Sequence, residues 1–279
     1  MRVVSILNEL RSLKSDLPIP LGLVPTMGFL HEGHLSLVRR AKKECKSVGV
    51  SIFINPTQFG EGDDLAAYPR DLPRDLQLLE DEGVDLVWTP TVEEVYPLDS
   101  QTWVDVVGLT RQLEGSQRPG HFRGVTTVVA KLFNAFQPDR AYFGQKDAQQ
   151  AIVIQRMVKD LLLPVEIVVC PVVREADGLA MSSRNTYLNP DQRKAASVLN
   201  RALMDAENLF GAGERDAEAL RRSMLTVIKE EPLAQVQYVS VADPETLEEA
   251  QGEIQRALFS MAVYVGKTRL IDNVIVGPE

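Results

Sequence analysis

The chain has 279 residues, of which 44% are apolar and 25% charged; this is ordinary for a soluble globular protein, and the length favours two domains. Its 30 basic and 39 acidic residues give a net charge of −9, which argues against binding to nucleic acid or to an anionic membrane surface. No apolar run is long enough to span a membrane, and charges at Arg2, Glu9, Arg11 and Lys14 interrupt the N-terminal apolar pattern, so we expect no signal peptide.

Apolar runs separated by helical patterns predict alternating helices and strands through the first part of the chain. Helices are predicted at residues 5–15, 34–47, 72–82, 126–136 and 148–161, and strands at 21–24, 48–54, 84–88, 140–143 and 165–170. Because these strands are short and apolar, we expect a parallel sheet covered by helices on both faces. The loops at Pro25, Asn55, Gly144 and Pro171 would lie at one edge of that sheet, where open α/β sheets bind their ligands.

The pattern changes near residue 173, where a smaller α+β domain is predicted to begin. Helices at 190–210 and 217–230 are followed by strands at 236–241, 262–265 and 273–276. We therefore predict an α/β domain over residues 1–172 and an α+β domain over residues 173–279. The two cysteines, Cys45 and Cys170, form neither a Cys-x-x-Cys pair nor a disulfide framework, which fits a reducing cytoplasm.

Two of the three histidines, His31 and His34, lie in residues 25–34, between a predicted strand and a predicted helix. Backbone N–H groups at a helix start form an anion site, and Gly28 and Gly33 let a ligand approach the backbone. Imidazoles one helical turn apart can donate hydrogen bonds to one phosphate. The segment therefore predicts a phosphate site. The alternatives are a polar turn with a helix cap and, with less support, a metal site, since His-x-x-His has no further ligand cluster.

Residues 143–147 form a second segment that follows a strand and precedes a helix. Lys146 offers a point charge for phosphate, and Asp147 can cap the helix or bond a ribose hydroxyl. Taken alone, the segment is equally consistent with a plain turn.

A third segment, residues 181–185, reads Met-Ser-Ser-Arg-Asn near the predicted domain boundary. Two hydroxyls and a guanidinium in a row suit pyrophosphate, and a loop between domains is where a closing lid would lie. A solvated polar loop is the alternative.

Two more segments carry polar groups suited to a small substrate. Residues 118–124 place His121 between two arginines, one of them Arg118. Residues 55–60 follow a strand, where Asn55 and Gln58 could bind the hydroxyls or carboxylate of a polar substrate. Either segment could instead be an ordinary turn or surface loop.

In their order and spacing, these segments resemble the pantothenate synthetase family. Residues 25–34, Pro-Thr-Met-Gly-Phe-Leu-His-Glu-Gly-His, are similar to that family's version of the His-Ile-Gly-His motif of nucleotidyltransferases. Residues 181–185 are similar to its counterpart of the Lys-Met-Ser-Lys-Ser loop. Other similar segments are residues 55–59, 68–70, 118–122, 144–147 and 149–150. The resemblance covers residues 24–188 and is weaker in the C-terminal third.

The resemblance implies a Rossmann-like parallel-sheet domain, a smaller α+β C-terminal lid domain, and a cytoplasmic homodimer with no nucleic-acid or membrane partner. It also implies a ligase that uses ATP and Mg²⁺ to join pantoate to β-alanine. The carboxylate of pantoate would attack the α-phosphate of ATP and release pyrophosphate. The amine of β-alanine would then attack the pantoyl-adenylate and release AMP.

Roles for the matching residues also follow from the resemblance. The catalytic residues would be His34, His31, Lys146 and Arg184. The residues that contact ATP would be Met27, Gly28, Phe29, Leu30, His31, Glu32, Gly33, His34, Gly144, Gln145, Lys146, Asp147, Val173, Met181, Ser182, Ser183 and Arg184. The residues that bind pantoate or β-alanine would be Gln58, Gln150, Asn55, Arg118 and His121. Donors preorganised around the phosphates would stabilise the charge that builds there.

The chain departs from the family pattern in two places. Gln145 stands where many relatives have a glutamate, and its neutral side chain has no explanation in the sequence. Where some members carry adjacent acids for Mg²⁺, this chain has Arg74 followed by Asp75. Asp75 is therefore the one candidate metal ligand, with Mg²⁺ carried mainly by ATP oxygens and water as the alternative.

Two other functions remain as alternatives. A nucleotidyltransferase acting on a phosphorylated small molecule would share the histidine and serine motifs, but the neutral amides of Gln58 and Gln150 suit hydroxyls better than a second phosphate. A nucleotide-binding sensor without turnover would not require the paired histidines.

Overall fold

The computed structural model describes residues 1–278, which form two compact units. The first unit consists of Met1–Thr110, Gly115–Gln145 and Gln150–Pro171. The second consists of Arg111–Glu114, Lys146–Gln149 and the described residues from Val172 onward. No helix among these residues has the length and apolar character that crossing a membrane requires.

A six-stranded, wholly parallel sheet forms the centre of the first unit. Its strands are β1 (Arg2–Val4), β2 (Leu21–Thr26), β3 (Ser47–Ile52), β4 (Leu86–Trp88), β5 (Arg140–Gly144) and β6 (Glu166–Cys170). Their order is β1-β4-β3-β2-β5-β6. The helices of this part of the chain are α1 (Leu7–Ser15), α2 (Glu32–Glu44), α3 (Leu72–Asp81), α4 (Val92–Val95), α5 (Leu113–Gln117), α6 (His121–Phe136) and α7 (Ala148–Asp160). The predicted Rossmann-like class is confirmed.

Both faces of this sheet are buried, as the apolar strands predict. Leu23 of β2 packs in a cluster with Trp88 and Phe136, whereas its neighbour Val24 packs in a different cluster with Val38. Since successive side chains of a strand point to opposite faces, the two clusters cover the two sides of the sheet. The ends of β2 and β3 lie side by side, with Thr26 registered against Ile52.

Helix α6 begins at His121, five residues before the start predicted at Thr126. Gly120, with a φ of 83°, sits at the N-cap in the left-handed region and turns the chain into the helix. In the sequence Gly124 resembles a helix breaker, but in the structure it lets α6 pack closely against Thr57. A Cβ at residue 124 would lie 2.4 Å from the carbonyl oxygen of Thr57. The alternative of a surface loop is thus wrong for His121, whose side chain projects from the first turn of a helix.

The second unit is built on a three-stranded antiparallel sheet. Its helices are α8 (Pro190–Ala195), α9 (Val198–Gly211) and α10 (Ala217–Lys229), and its strands are β7 (Ala234–Ala242), β8 (Ala257–Val265) and β9 (Thr268–Val276), in the order β7-β8-β9. The single helix predicted over residues 190–210 is wrong, since the chain breaks it near Ala196. The α+β class is confirmed.

Two short segments from earlier in the chain are bonded into this second unit. Arg269 of β9 donates to both carboxylate oxygens of Glu114, at 2.7 and 2.8 Å, and Tyr238 donates to the same carboxylate at 2.8 Å. Gln149 accepts from the backbone N–H of Glu114 at 2.9 Å and donates to the carbonyl of Gln112 at 2.9 Å. Residues 111–114 and 146–149 are therefore held by β7 and β9.

Candidate active site

The segment between β2 and α2 makes a tight left-handed turn. Gly28 and Phe29 have φ values of 82° and 49°, a region that residues with a Cβ adopt only at a cost. The hydroxyl of Thr26 accepts from the N–H of Gly28 at 3.2 Å and donates to the carbonyl of Ser51 at 2.8 Å. The turn is thereby tied to the end of β3.

Asp75 of α3 holds the same turn from the other side. Its side chain is 1% exposed, and its two oxygens accept hydrogen bonds from the N–H groups of Phe29 and Leu30, both at 2.7 Å. Arg74 donates to the carbonyl of Leu30 at 2.9 Å. Burial raises the pKa of Asp75, while the bonds from Leu30 and Phe29 and the charge of Arg74 oppose the rise.

His31 and His34 lie together at the start of α2. Their ring centroids are 4.1 Å apart, and His31 occupies the N-cap position. The backbone N–H of His31 donates to Nδ1 of His34 at 3.3 Å. Because Nδ1 acts as the acceptor of this bond, the nitrogen of the His34 ring that can donate is Nε2.

At the end of β3, Asn55 and Gln58 are linked side chain to side chain. Asn55 is 1% exposed; its amide nitrogen donates to Oε1 of Gln58 at 3.0 Å and to the carbonyl of Gly124 at 3.1 Å. Its Oδ1 accepts from the hydroxyls of Thr57 and Tyr96, both at 2.9 Å. Asn55 is therefore saturated by protein groups and fixes the orientation of Gln58.

Gln58 also connects this segment to the histidine-containing turn and to α6. Its Nε2 lies 3.3 Å from the sulfur of Met27, so the two loops meet. His121 donates from Nδ1 to the carbonyl of Gln58 at 2.8 Å, which leaves Nε2 facing Nη1 of Arg118 at 3.3 Å. Arg118 also pairs with Asp63 at 2.8 Å. The first unit thus brings together residues 27–34, Asn55, Gln58, Arg118, His121 and Asp75.

The predicted nucleotide loop after β5 divides between the two units. Gly144 ends β5 beside Cys170, and Gln145 opens a short 3₁₀ helix, Gln145–Asp147. Lys146 belongs to the second unit, where its carbonyl accepts from the amide of Asn273 at 2.8 Å, and its ammonium lies 3.6 Å from Asp147. Gln150 is half-buried on α7.

The serine-containing loop of the second unit is anchored to Val173 and to Arg174. The N–H of Met181 donates to the carbonyl of Val173 at 3.0 Å, and Arg174 forms a backbone bridge with Ala180. The Ser182 hydroxyl accepts from the N–H of Arg184 at 3.3 Å and caps a 3₁₀ helix, Ser183–Tyr187. Ser183 is buried, whereas Ser182 and Arg184 are half-buried.

A buried ion pair connects this loop to β9. Arg174 donates to Asp272 at 2.6 and 3.0 Å, and the carboxylate of Asp272 is 1% exposed. The next residue of β9, Asn273, holds Lys146. The pair therefore joins the serine-containing loop to the strand that carries the Lys146 contact.

Several of these contacts have no signal in the sequence. Asn273 lies 127 positions from Lys146, and Asp75 lies 46 positions from Phe29. Tyr96, which orients Asn55, is likewise 41 positions from it. Only the short-range pairs, such as His31 with His34, follow from spacing.

The donor set does not fit a protein-held Mg²⁺. Each oxygen of Asp75 accepts a hydrogen bond from a backbone N–H group, and the side chain is only 1% exposed. Within residues 1–278, no three His, Cys, Asp or Glu side chains are close enough to enclose a metal ion. The imidazoles of His31 and His34 are N–H donors instead, which suit anions.

A parallel α/β sheet with paired imidazoles at the end of one strand and fixed amides at the end of the next is the framework of an α/β enzyme that binds its ligand at that edge. The family model for pantoate-beta-alanine ligase matches residues 2–275, so the chain belongs to that family. The resemblance stated from the motifs is confirmed.

Relatives and solved structures agree with this assignment. A pantothenate synthetase of Roseiflexus sp. (strain RS-1) is 60% identical over 276 residues, 99% of each chain, and that of Herpetosiphon aurantiacus is 58% identical over 277 residues, 99% of this chain and 100% of the other. The crystal structure of pantothenate synthetase from Thermus thermophilus matches with a TM-score of 0.95 and 48% identity, covering 100% of both chains.

A structure of pantoate-beta-alanine ligase from Francisella tularensis, complexed with beta-gamma ATP and beta-alanine, matches with a TM-score of 0.82 and 34% identity over 100% of both chains. The chain is accordingly an enzyme, a ligase with the reaction of its family: the ATP-dependent joining of pantoate to β-alanine.

Proposed function

We propose that the chain joins pantoate to β-alanine in two steps on residues from the motifs described above. The carboxylate of pantoate attacks the α-phosphate of ATP, and the bond to pyrophosphate breaks. The amine of β-alanine then attacks the acyl carbon of pantoyl-adenylate, and AMP leaves. The Francisella tularensis ligase, which was crystallised with an ATP compound and β-alanine, supports the same two ligands here.

Residues 27–34 would bind the phosphates of ATP, with His34 and His31 as the catalytic pair. The single observation that carries this role is the bond from the His31 N–H to Nδ1 of His34, because it makes Nε2–H the donor of His34. Such a donor, fixed before ATP binds, stabilises charge as it develops on phosphate oxygens.

Gln58 and Gln150 would hold pantoate, with Gln58 also near β-alanine. Asn55 would serve the substrate by fixing Gln58, since its own amide is saturated. Arg118 and His121 both contact the carbonyl of Gln58, and the ion pair of Arg118 with Asp63 holds them in place. Holding the carboxylate of pantoate in line with the α-phosphate lowers the activation free energy, because the reacting atoms are already close and aligned.

Residues 144–147 and Val173 would contact the nucleotide. Lys146, Ser182, Ser183 and Arg184, together with Met181, would contact its phosphates, and Lys146 and Arg184 would be catalytic through their charge. The anchoring of Lys146 by Asn273 supports this role, because a fixed backbone restricts the positions that a flexible ammonium can take. We propose that the part of the chain from residue 173 acts as the lid.

We propose that Mg²⁺ reaches the enzyme as its complex with ATP. Mg²⁺ gives up its water reluctantly and is commonly held by substrate phosphates with few protein ligands. The commitment of Asp75 to backbone donors supports this arrangement.

We also propose a cytoplasmic homodimer. Large exposed apolar side chains in the first unit, Leu98, Trp103 and Val107, are consistent with a covered surface. Light scattering of the purified protein tests the dimer, and a monomer mass at micromolar concentration would contradict it.

Isotope exchange tests the adenylate route. With ATP, Mg²⁺ and pantoate but no β-alanine, labelled pyrophosphate should enter ATP, because the first step is complete and reversible. The matched control omits pantoate and should show no exchange. Exchange that requires β-alanine, or that proceeds without pantoate, would reject the proposed intermediate.

A further inference from the structure

The turn formed by residues 27–30, called here the nucleotide turn, is fixed by groups from α3. We propose that Asp75 is a positioning residue for this reaction: its buried carboxylate fixes the nucleotide turn, and through it the two histidines that follow. The inference rests on the proposed role of residues 27–34 in binding ATP.

The nucleotide turn needs an external partner. Gly28 and Phe29 both have positive φ values, and the consecutive N–H groups of Phe29 and Leu30 donate to a side chain of α3. A single carboxylate satisfies both at 2.7 Å. Short bonds of this kind to an ionised acceptor are stronger than those between neutral groups, so the carboxylate selects one conformation of the turn.

Arg74 completes the arrangement by holding the carbonyl of Leu30. Its guanidinium donates to that carbonyl at 2.9 Å, lies 5.5 Å from the ring centroid of Phe29, and is 3.7 Å from Oδ1 of Asp75. Leu30 is thus held at its N–H by Asp75 and at its carbonyl by Arg74. His31 follows directly, so the position of the N-cap of α2 depends on these two side chains.

These contacts also explain why this chain has Arg74 beside Asp75 where some family members carry two adjacent acids. A second carboxylate at position 74 could not donate to the carbonyl of Leu30. In this chain the pair acts on the backbone of the nucleotide turn, whereas adjacent acids suit a cation.

The test compares Asp75→Asn with the control Asp71→Ala. The substituted amide would keep one acceptor but would point an N–H₂ group at a backbone N–H, so one bond is lost. Asp71 caps the same helix by accepting from the N–H of Arg74 at 3.2 Å and has no bond to the nucleotide turn. Asp71→Ala therefore destabilises α3 but removes no bond to residues 27–30. It shows how much of any effect comes from lower stability of α3 rather than from the lost contacts.

Hydrogen exchange of the substrate-free protein gives the first readout. We expect the amides of residues 29 and 30 to exchange at least about tenfold faster in Asp75→Asn than in the wild type, and at the wild-type rate in Asp71→Ala. Equal rates in all three proteins would show that Asp75 does not fix the nucleotide turn, whatever the catalytic role of residues 27–34.

Steady-state kinetics give the second readout. We expect kcat/KM for ATP to fall by about 10- to 100-fold in Asp75→Asn. KM for β-alanine and the Mg²⁺ concentration needed at saturating ATP should not change. Faster exchange with unchanged turnover would reject the proposed function of residues 27–34 and the positioning role with it. A rise of about tenfold in the Mg²⁺ requirement would overturn the inference in favour of a metal ligand.

Arg74 keeps the proposal testable if Asp75→Asn does not fold. Arg74→Leu removes the donor to the Leu30 carbonyl and leaves both Asp75 bonds in place. We expect it to lower kcat/KM for ATP by about tenfold, and Arg74→Lys to restore part of that loss. Equal activity of Arg74→Leu and the wild type would contradict the inference.

Discussion

The side-chain amide of Asn273 in β9 donates a hydrogen bond to the backbone carbonyl of Lys146 at 2.8 Å. Asn273 is 4% exposed, and the preceding residue, Asp272, is paired with Arg174. A residue near the end of the chain therefore fixes the backbone of a lysine proposed to act on ATP.

Asn273→Ala should lower the rate of pantoyl-adenylate formation by about tenfold, because Lys146 loses its anchor while keeping its charge. Single-turnover release of pyrophosphate measures this step. In a double-mutant cycle with Lys146→Ala, the two losses should not add, since Asn273 acts through Lys146. Fully additive losses would show that Asn273 acts elsewhere.

His34→Ala and Lys146→Ala should each slow adenylation by a factor on the order of 10²–10³, because each removes a donor to the transition state. Lys43→Ala, a substitution of an exposed lysine in the last turn of α2, is the control and should keep the wild-type rate. Near-normal turnover of either site variant would remove that residue from its role.

Gly124→Ala and Gly211→Ala form a matched pair of glycine substitutions in helices. A Cβ at residue 124 would lie 2.4 Å from the carbonyl oxygen of Thr57, whereas a Cβ at residue 211 meets no atom within 4 Å. We expect Gly124→Ala to lower the free energy of unfolding by about 1–3 kcal/mol through overpacking and to raise KM for pantoate, because Gln58 is displaced.

Gly211→Ala should change stability by less than about 1 kcal/mol, toward higher stability, since alanine favours a helix. Urea denaturation measures both variants. Equal stabilities would mean that α6 does not press against residues 57–58 as the distances require.

The stability of the second unit should depend on pH through Asp177. Hydrogen bonds from the guanidinium of Arg193 lower the pKa of Asp177 below its usual value. The ionised form is thus favoured by folding, so the stabilisation is present above the ordinary aspartate pKa of about 4 and is lost as the pH falls through the lower, folded-state value.

Because Asp177 is 41% exposed, the contribution is limited to about 0.5 kcal/mol. Asp177→Asn should be less stable than the wild type by that amount at neutral pH, and the difference should shrink below about pH 4. Urea denaturation across this range measures it. A difference that grows as the pH falls would have the wrong sign.

Much of the fold can be predicted because buried parallel strands are short apolar runs. Residues 21–24 and 48–54 are sufficient to place β2 and β3, since both faces of these strands are covered. β1 is not predicted from the sequence. It has only three residues, lies at the edge of the sheet and leaves Val3 exposed, so it does not form a short apolar run. The start of α6 is predicted five residues late because Gly124 resembles a breaker while its role is close packing.

The candidate site can be predicted only where its residues are close in the chain. The motif containing His31 and His34 is visible because a helix start and a strand end lie within a few residues. The partners that hold the motif, Asp75 and Arg74, have no local signature, because their effect is exerted on a backbone 44 to 46 positions away. Long-range contacts of this kind depend on packing that a single sequence does not reveal.

The two-step reaction is tested most directly by measuring AMP formation with ATP and Mg²⁺ while pantoate and β-alanine are each omitted in turn. We expect steady AMP release to require both organic substrates and to equal the amount of pantothenate formed. Release of AMP or pyrophosphate at the full rate without pantoate, or the absence of any hydrolysis or condensation product with all substrates present, would contradict it.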